Sequence, residues 1–207
     1  MTRKEIVERL KLPSGGTLTK VLRELIDCDF VRGYNTRERK IKQKDQIYQL
    51  IDLYTLFYMQ FCHPVSTDTA FWTHQMGKPR QNTWYGLAFE RICMLHIPQI
   101  KQQLGIAQIY TEYYSWRSKL STPASQIDLL IERADNLVNL CEIKYSQAPY
   151  SITKEEDMRI RTRIADFVGE TKIRHGVLTT LITTFGLRPN PYSSIAQVQL
   201  TMDDLFV

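Results

Sequence analysis

Two hydrophobic rhythms run along this chain, and the change from one to the other divides it. Early on, Leu18, Val21, Leu22, Leu25 and Ile26 follow the i, i+3, i+4, i+7, i+8 spacing of one buried helix face, predicting a helix from Leu18 to Cys28. Thr2 stands three residues before Glu5, the spacing of a capping box, and predicts a preceding helix Thr2–Leu10. Leu-Pro-Ser-Gly-Gly at 12–16 turns the chain between them. Short strands at Phe30–Tyr34 and Gln46–Ile51 flank a polar loop carrying Arg37, Arg39, Lys40, Lys42 and Lys44. Helical spacing then runs from Leu50 through Tyr54, Phe57, Tyr58 and Phe61, and His63-Pro64 ends it. The order helix, turn, helix, basic hairpin resembles a winged helix-turn-helix, with Leu18–Cys28 in the recognition position, although such a module ordinarily has one more helix in front. Residues 63–82 read as a linker with a helical stretch at Thr69–Gln75.

From residue 83 the rhythm alternates between the two periods. Trp84–Ile97 predicts a helix with Leu87, Ala88, Arg91, Ile92 and Leu95 on one side, and Pro98 ends or kinks it. Strands follow at Ala107–Trp116 and, around a polar turn at Arg133–Asn136, within Gln126–Ser146. A helix from Thr153 to Val168 precedes Gly176–Phe185, a β-branched run typical of a strand covered on both faces, and a short strand at 195–200. The order α-β-β-β-α-β-β makes 83–207 an α/β domain beside the smaller module 1–62.

Composition sharpens this only slightly. With 43% hydrophobic and 24% charged residues the chain is globular, and no apolar run reaches the length of a membrane span. Its net charge of +5 favours a polyanionic partner. Cys28, Cys62, Cys93 and Cys141 lie far apart without zinc spacing. Cys93 and Cys141 read as small buried residues, and the free thiols fit the cytoplasm. His63, His74, His96 and His175 show no ligand spacing either.

The informative stretch is QIDLLIERADNLVNLCEIKYS. Alternation puts Leu140, Glu142 and Lys144 on one face, and hairpin pairing brings Asp128 in the preceding strand toward Glu142. Taken alone, E-x-K is a surface ion pair. Two carboxylates and an ammonium at the end of an apolar sheet are also what Mg²⁺ chemistry on a phosphodiester asks for: hard oxygen ligands, with a cation beside the phosphate. Glu112 reads either as an extra acidic group or as an edge charge, and Glu132, just beyond Asp128, as solvated.

These residues resemble the PD-(D/E)xK nuclease superfamily: a helix bearing Glu90, Asp128 on one strand, Glu142-Ile143-Lys144 on the next, then a helix and a strand. The segments KEIVERLKLPSGGTLTKVLREL, DLYTLFYMQF, EIKYSQAPYSITKEE and TTFGLRPNPYS resemble the C-terminal half of a family of prokaryotic AAA+ ATPases, in which a winged helix precedes a nuclease-like domain. The resemblance covers nearly the whole chain and implies a restriction-endonuclease-like mixed sheet flanked by helices. It implies that Asp128, Glu142 and Glu90 ligate Mg²⁺ or Mn²⁺ and that Lys144 stabilises the scissile phosphate or orients the attacking water. Gln147, Lys154 and Arg161 would then contact a DNA backbone. Ile127 stands where the superfamily motif has proline, a frequent departure. No phosphate-binding G-x₄-G-K-[ST] loop occurs, so this chain is expected to bind no ATP by itself, and an ATPase domain or protein becomes a candidate partner beside DNA. Within the first module, Lys20, Arg23 and the loop residues Arg37, Arg39, Lys40 and Lys42 are the candidates for DNA contact, although Glu24 and Asp27 share the helix of the first two. Two further readings stay open: a catalytically inactive DNA-binding module, and a protein-interaction module working with an ATPase.

Overall fold

Nearly unbroken burial along β4 (Gln126–Arg133) and β5 (Leu137–Lys144) marks strands covered on both faces, and the larger unit is built around them. In a computed structural model describing residues 1–34, 46–62, 67–118, 120–122 and 124–206, these strands are central to a five-stranded sheet ordered β3-β4-β5-β6-β7. β3 (Thr111–Arg117) and β4 run antiparallel, as do β4 and β5. β6 (Gly176–Thr183) and β7 (Val198–Thr201) continue the sheet in parallel with β5. The turn between β4 and β5 places Asn136 at φ 63°, a left-handed conformation that Asn tolerates well.

Both faces of the sheet are covered. On one, Leu129, Ile131, Cys141, Ile143, Ile182 and Leu200 pack with Phe89 and Cys93 of α5 (Pro79–Leu95) and Ile97 and Ile100 of α6 (Ile97–Gln103). On the other, Leu130, Val138 and Leu140 meet Phe167 of α7 (Lys154–Thr171), while Leu181 meets Ile160 of the same helix. Leu181 and Ile182 are consecutive on β6 and both fully buried, as expected of a strand covered on both sides. The predicted helix after Trp84 begins earlier, at Pro79, and His96 separates it from α6, with Pro98 in the first turn of that second helix, where its missing N–H costs nothing. Its buried face also differs from the predicted one: Phe89 and Cys93 are inside, whereas Leu87 and Leu95 are exposed.

α7 starts on a complete capping box. Thr153 Oγ1 accepts from the Glu156 N–H at 3.2 Å, and the Glu156 carboxylate accepts from the Thr153 N–H at 3.2 Å. Glu155, Glu156 and Asp157 complement the helix dipole at this end. Thr153→Ala is therefore expected to lower unfolding free energy by about 1 kcal/mol, read as a lower urea midpoint at unchanged slope.

The chain divides into two units, Met1–Trp84 and Tyr85–Val207. In the first, Thr2 and Glu5 form the predicted capping box at the start of α1 (Arg3–Leu10). α2 (Gly16–Asp27) buries Leu18 and Leu22 but leaves Val21 exposed, so its buried face is narrower than the spacing predicts. β1 (Val31–Tyr34) and β2 (Ile47–Leu50) pair antiparallel as a two-stranded sheet. α3 (Leu53–Phe57) passes into a π-helical turn, Tyr58–Cys62. Trp72, from α4 (Phe71–Gln75) in the stretch read as a linker, packs its ring 5.2 Å from Phe57 and 5.3 Å from Phe61, beside Trp84. Arg37, Arg39, Lys40, Lys42, Lys44 and His63 lie outside the described residues.

Candidate active site

Glu142 and Lys144, two residues apart on β5, share the face covered by α7. At this end of the sheet β5 and β6 terminate together in parallel, an arrangement whose strand ends characteristically carry ligand sites. The Glu142 carboxylate is only 7% exposed and is clamped from two sides. Lys144 Nζ lies 2.7 Å from Oε1, and Arg163 Nη1 of α7 donates to Oε2 at 2.6 Å. Burial pushes this carboxyl up, but the two cations outweigh it and hold it below the ordinary carboxylate range. Tyr150, Ile152, Glu156, Arg159 and Ile160 complete a cleft around the group. The Tyr150 hydroxyl donates to Glu156, which Arg159 approaches at 3.8 Å.

Asp128 is placed by a β-bulge. Tyr114 and Trp116 pair with Leu130 and Ile127, so two residues of β4, Asp128 and Leu129, face one residue of β3. Ile127 consequently packs on the same side as Leu130, and alternation breaks at Asp128. The β4–β5 ladder ends at Leu129–Cys141, one step short of Asp128 and Glu142, so the cross-strand pairing expected to join these carboxylates is not made. Asp128 Oδ1 instead accepts from Gln126 Nε2 at 2.7 Å.

Glu90 belongs with Asp128. It lies next to Phe89 on α5, among the residues covering the opposite face of the sheet from α7. Burial first, and the negative charge of Asp128 second, push its carboxyl up to about 7; Arg91 and Lys144 oppose the rise, and Glu142 adds to it. The four predicted residues thus fall into two groups, Glu90 with Asp128 and Glu142 with Lys144, coupled through the field at Glu90. Among the described residues, no three His, Cys, Asp or Glu side chains are gathered as a metal-binding group. The donor chemistry nevertheless fits a hard divalent cation. Burial and the Asp128 charge favour a proton on Glu90 that such a cation would replace, and Asp128 would supply a second oxygen donor. Glu142, with both oxygens held by Lys144 and Arg163, does not join this pair in the present arrangement.

A pH dependence follows. Glu90 binds its proton more tightly in the folded chain than at its ordinary value of 4.5, so its contribution to stability is full below 4.5 and is lost as pH rises through about 7. Glu90→Gln keeps the neutral form at every pH. Its melting temperature relative to wild type is expected to climb between about pH 5 and pH 8, and a flat difference would refute this assignment.

Other predicted residues lie elsewhere. Gln147 and Lys154 are exposed, and Arg161 pairs with Asp157 at 2.9 Å on the exposed side of α7. Lys20 pairs with Glu24 at 3.8 Å, and Arg23 is exposed. The basic α7 residues that reach the cleft are Arg159 and Arg163, neither of them among the predicted site residues. A signal existed: Arg163 falls three residues after Ile160 and four before Phe167, inside the apolar stripe, where an arginine requires a partner. Glu132 corrects the reading of a solvated carboxylate. It is 8% exposed and accepts from the Tyr114 hydroxyl at 2.6 Å, with His175 Nδ1 3.5 Å away. Glu112 is an exposed edge charge that accepts from Tyr110 at 3.1 Å. Cys93 and Cys141 are buried as expected; burial, with Glu90 contributing, pushes the Cys93 thiol up to about 12 and leaves it a poor nucleophile.

No helix among the described residues is long and apolar enough to cross a membrane. No family model matches the chain. No curated protein matches it. Among solved structures, a crystal structure of a protein of unknown function, AF1548, is similar at 15% identity and a TM-score of 0.38, over 55% of this chain and 64% of that one, less than two thirds of its length.

Proposed function

We propose that the larger unit is a nuclease-like module that hydrolyses DNA phosphodiesters with Mg²⁺ or Mn²⁺. The observation that carries this reading is the acidic and basic grouping at one end of the sheet: Glu142 and Lys144 in contact on β5, with the coupled carboxyls Glu90 and Asp128 arriving from α5 and β4. The order of elements, with α5 before three antiparallel strands and α7 crossing to two parallel ones, also suits a nuclease-like core. A bound divalent ion supplies Lewis acidity and lowers the pKa of water. Asp128 and Glu90, with Glu142, are the residues that would hold it. Lys144 stabilises the negative charge growing on phosphate oxygens as water adds to phosphorus and the ester oxygen leaves. The order α1, α2 and the antiparallel pair β1 and β2 suits a winged helix and favours DNA as the partner. In the same reading the chain works with an AAA+ ATPase domain or protein.

The test is cleavage of plasmid, linear and branched DNA in Mg²⁺ and in Mn²⁺ by wild type, Asp128→Ala and Glu142→Ala. Metal-dependent cutting by wild type alone supports the proposal, and equal cutting by all three defeats it. A second reading, DNA binding without catalysis, is favoured by the engagement of both Glu142 oxygens by cations. It expects metal-independent binding that weakens steeply with salt.

A further inference from the structure

Arg163 is the residue on which the site's two states turn. Its guanidinium occupies Oε2 of Glu142 at 2.6 Å while Lys144 occupies Oε1 at 2.7 Å, so both oxygens of the best-buried carboxylate are already in ion pairs. A carboxylate in that condition presents a divalent cation with two competing positive charges rather than a ligand. The heads of the two basic residues remain accessible: the Lys144 side chain is 32% and the Arg163 side chain 27% exposed, against 9% for Glu142. They line an open cleft together with Tyr150, Glu156 and Arg159. An arginine fork binds phosphate oxygens in the same planar geometry that it uses for carboxylate.

We infer that Arg163 is an exchange residue: a substrate phosphate draws its guanidinium off Glu142, and the vacated Oε2 becomes available to a divalent cation. The inference rests on the proposed metal-dependent reading and adds an order to it, because nucleic acid and cation then promote each other's binding through one side chain. Without nucleic acid the site is held by its own cations and takes up metal weakly. Arg159 makes a suitable comparison. It lies one turn earlier on α7 and carries the same charge, but its partner is Glu156 at 3.8 Å rather than Glu142.

The experiment is calorimetric titration of Mn²⁺ into the full chain, alone and with a phosphorothioate oligonucleotide that resists cleavage, for wild type, Arg163→Gln, Arg159→Gln and Asp128→Asn. Thermal melts confirm that each variant is folded, and Arg163→Lys, which keeps the charge, provides a second folded form. Wild type is expected to bind Mn²⁺ weakly alone and at least about tenfold more tightly with the oligonucleotide, within the usual 5–150-fold range of coupled sites. Arg163→Gln is expected to bind Mn²⁺ more tightly than wild type without the oligonucleotide and to lose most of the gain on adding it. Arg163→Lys is expected to behave like wild type. Equal Mn²⁺ affinity of Arg163→Gln and wild type, with Asp128→Asn weakened, overturns the exchange and leaves the metal reading standing. So does an equal gain in Arg159→Gln, which would show a general field effect. Unchanged Mn²⁺ binding in Asp128→Asn overturns the metal reading, and the exchange with it.

Discussion

Lys144→Ala is expected to lower Mn²⁺-supported cleavage of linear duplex DNA by about 10²–10³-fold, the usual effect of removing one group that stabilises transition-state charge. The ammonium stands at the end of β5 with its head at the cleft, paired with Glu142; in the proposed reading a phosphate would take the place of Glu142 as its partner. The loss should fall on kcat more than on KM, since charge on the phosphate oxygens grows mainly in the transition state. Lys144→Arg keeps the charge and should recover part of the rate. Folding should change little, because Arg163 continues to neutralise Glu142 and the side chain of Lys144 is already about one-third exposed. Arg161→Ala is the matched control, since that guanidinium is spent on Asp157 on the exposed side of α7. A Lys144→Ala protein that cuts at the wild-type rate removes Lys144 from the chemistry.

Phe167→Ala should produce the largest loss of stability, about 3–5 kcal/mol, the range for truncating a buried aromatic ring. Phe167 is fully buried, packs edge-on against Trp116 with ring centroids 5.5 Å apart, and joins α7 to Leu130, Val138 and Leu140 of the central strands. Its removal leaves a cavity between helix and sheet, whose close-packed walls collapse only in part. Its neighbour Val168 is 37% exposed, and Val168→Ala should cost far less, within about 0.5 kcal/mol. Urea unfolding followed by far-UV circular dichroism separates the two, and a small effect of Phe167→Ala would mean that α7 is not held to the sheet as described. Because Arg163 lies four residues before Phe167, the same substitution should also loosen the Glu142 clamp and weaken any cleavage that depends on it.

The elements were readable where their cause is local. The capping box of Thr2 and Glu5 depends on residues three apart, and the strands through Leu129–Ile131 and Leu140–Ile143 on positions two apart, so both can be counted along the chain. Burial of Cys93 and Cys141 was expected because no ligand spacing surrounds them, and a β6 covered on both faces because its β-branched run is unbroken. Element ends were less well placed: β3 begins at Thr111 rather than Ala107, and α5 at Pro79 rather than Trp84, because strand and helix ends are set by partners as much as by propensity.

The candidate site shows the division most clearly. Period-two alternation alone determined that Glu142 and Lys144 share a face, and their ion pair at 2.7 Å follows from it. Only the tertiary structure decided the rest. Pairing with β3 introduces a bulge that takes Asp128 out of step with Glu142 and leaves it acting on Glu90. The crossing of α7 over the sheet delivers Arg163, rather than Arg161, to the buried carboxylate. It is likewise packing that puts Glu132 inside, beneath the Tyr114 hydroxyl. Alternation along a strand is a property of neighbours in sequence, whereas the charge that meets a carboxylate across a sheet is set by where a distant element packs.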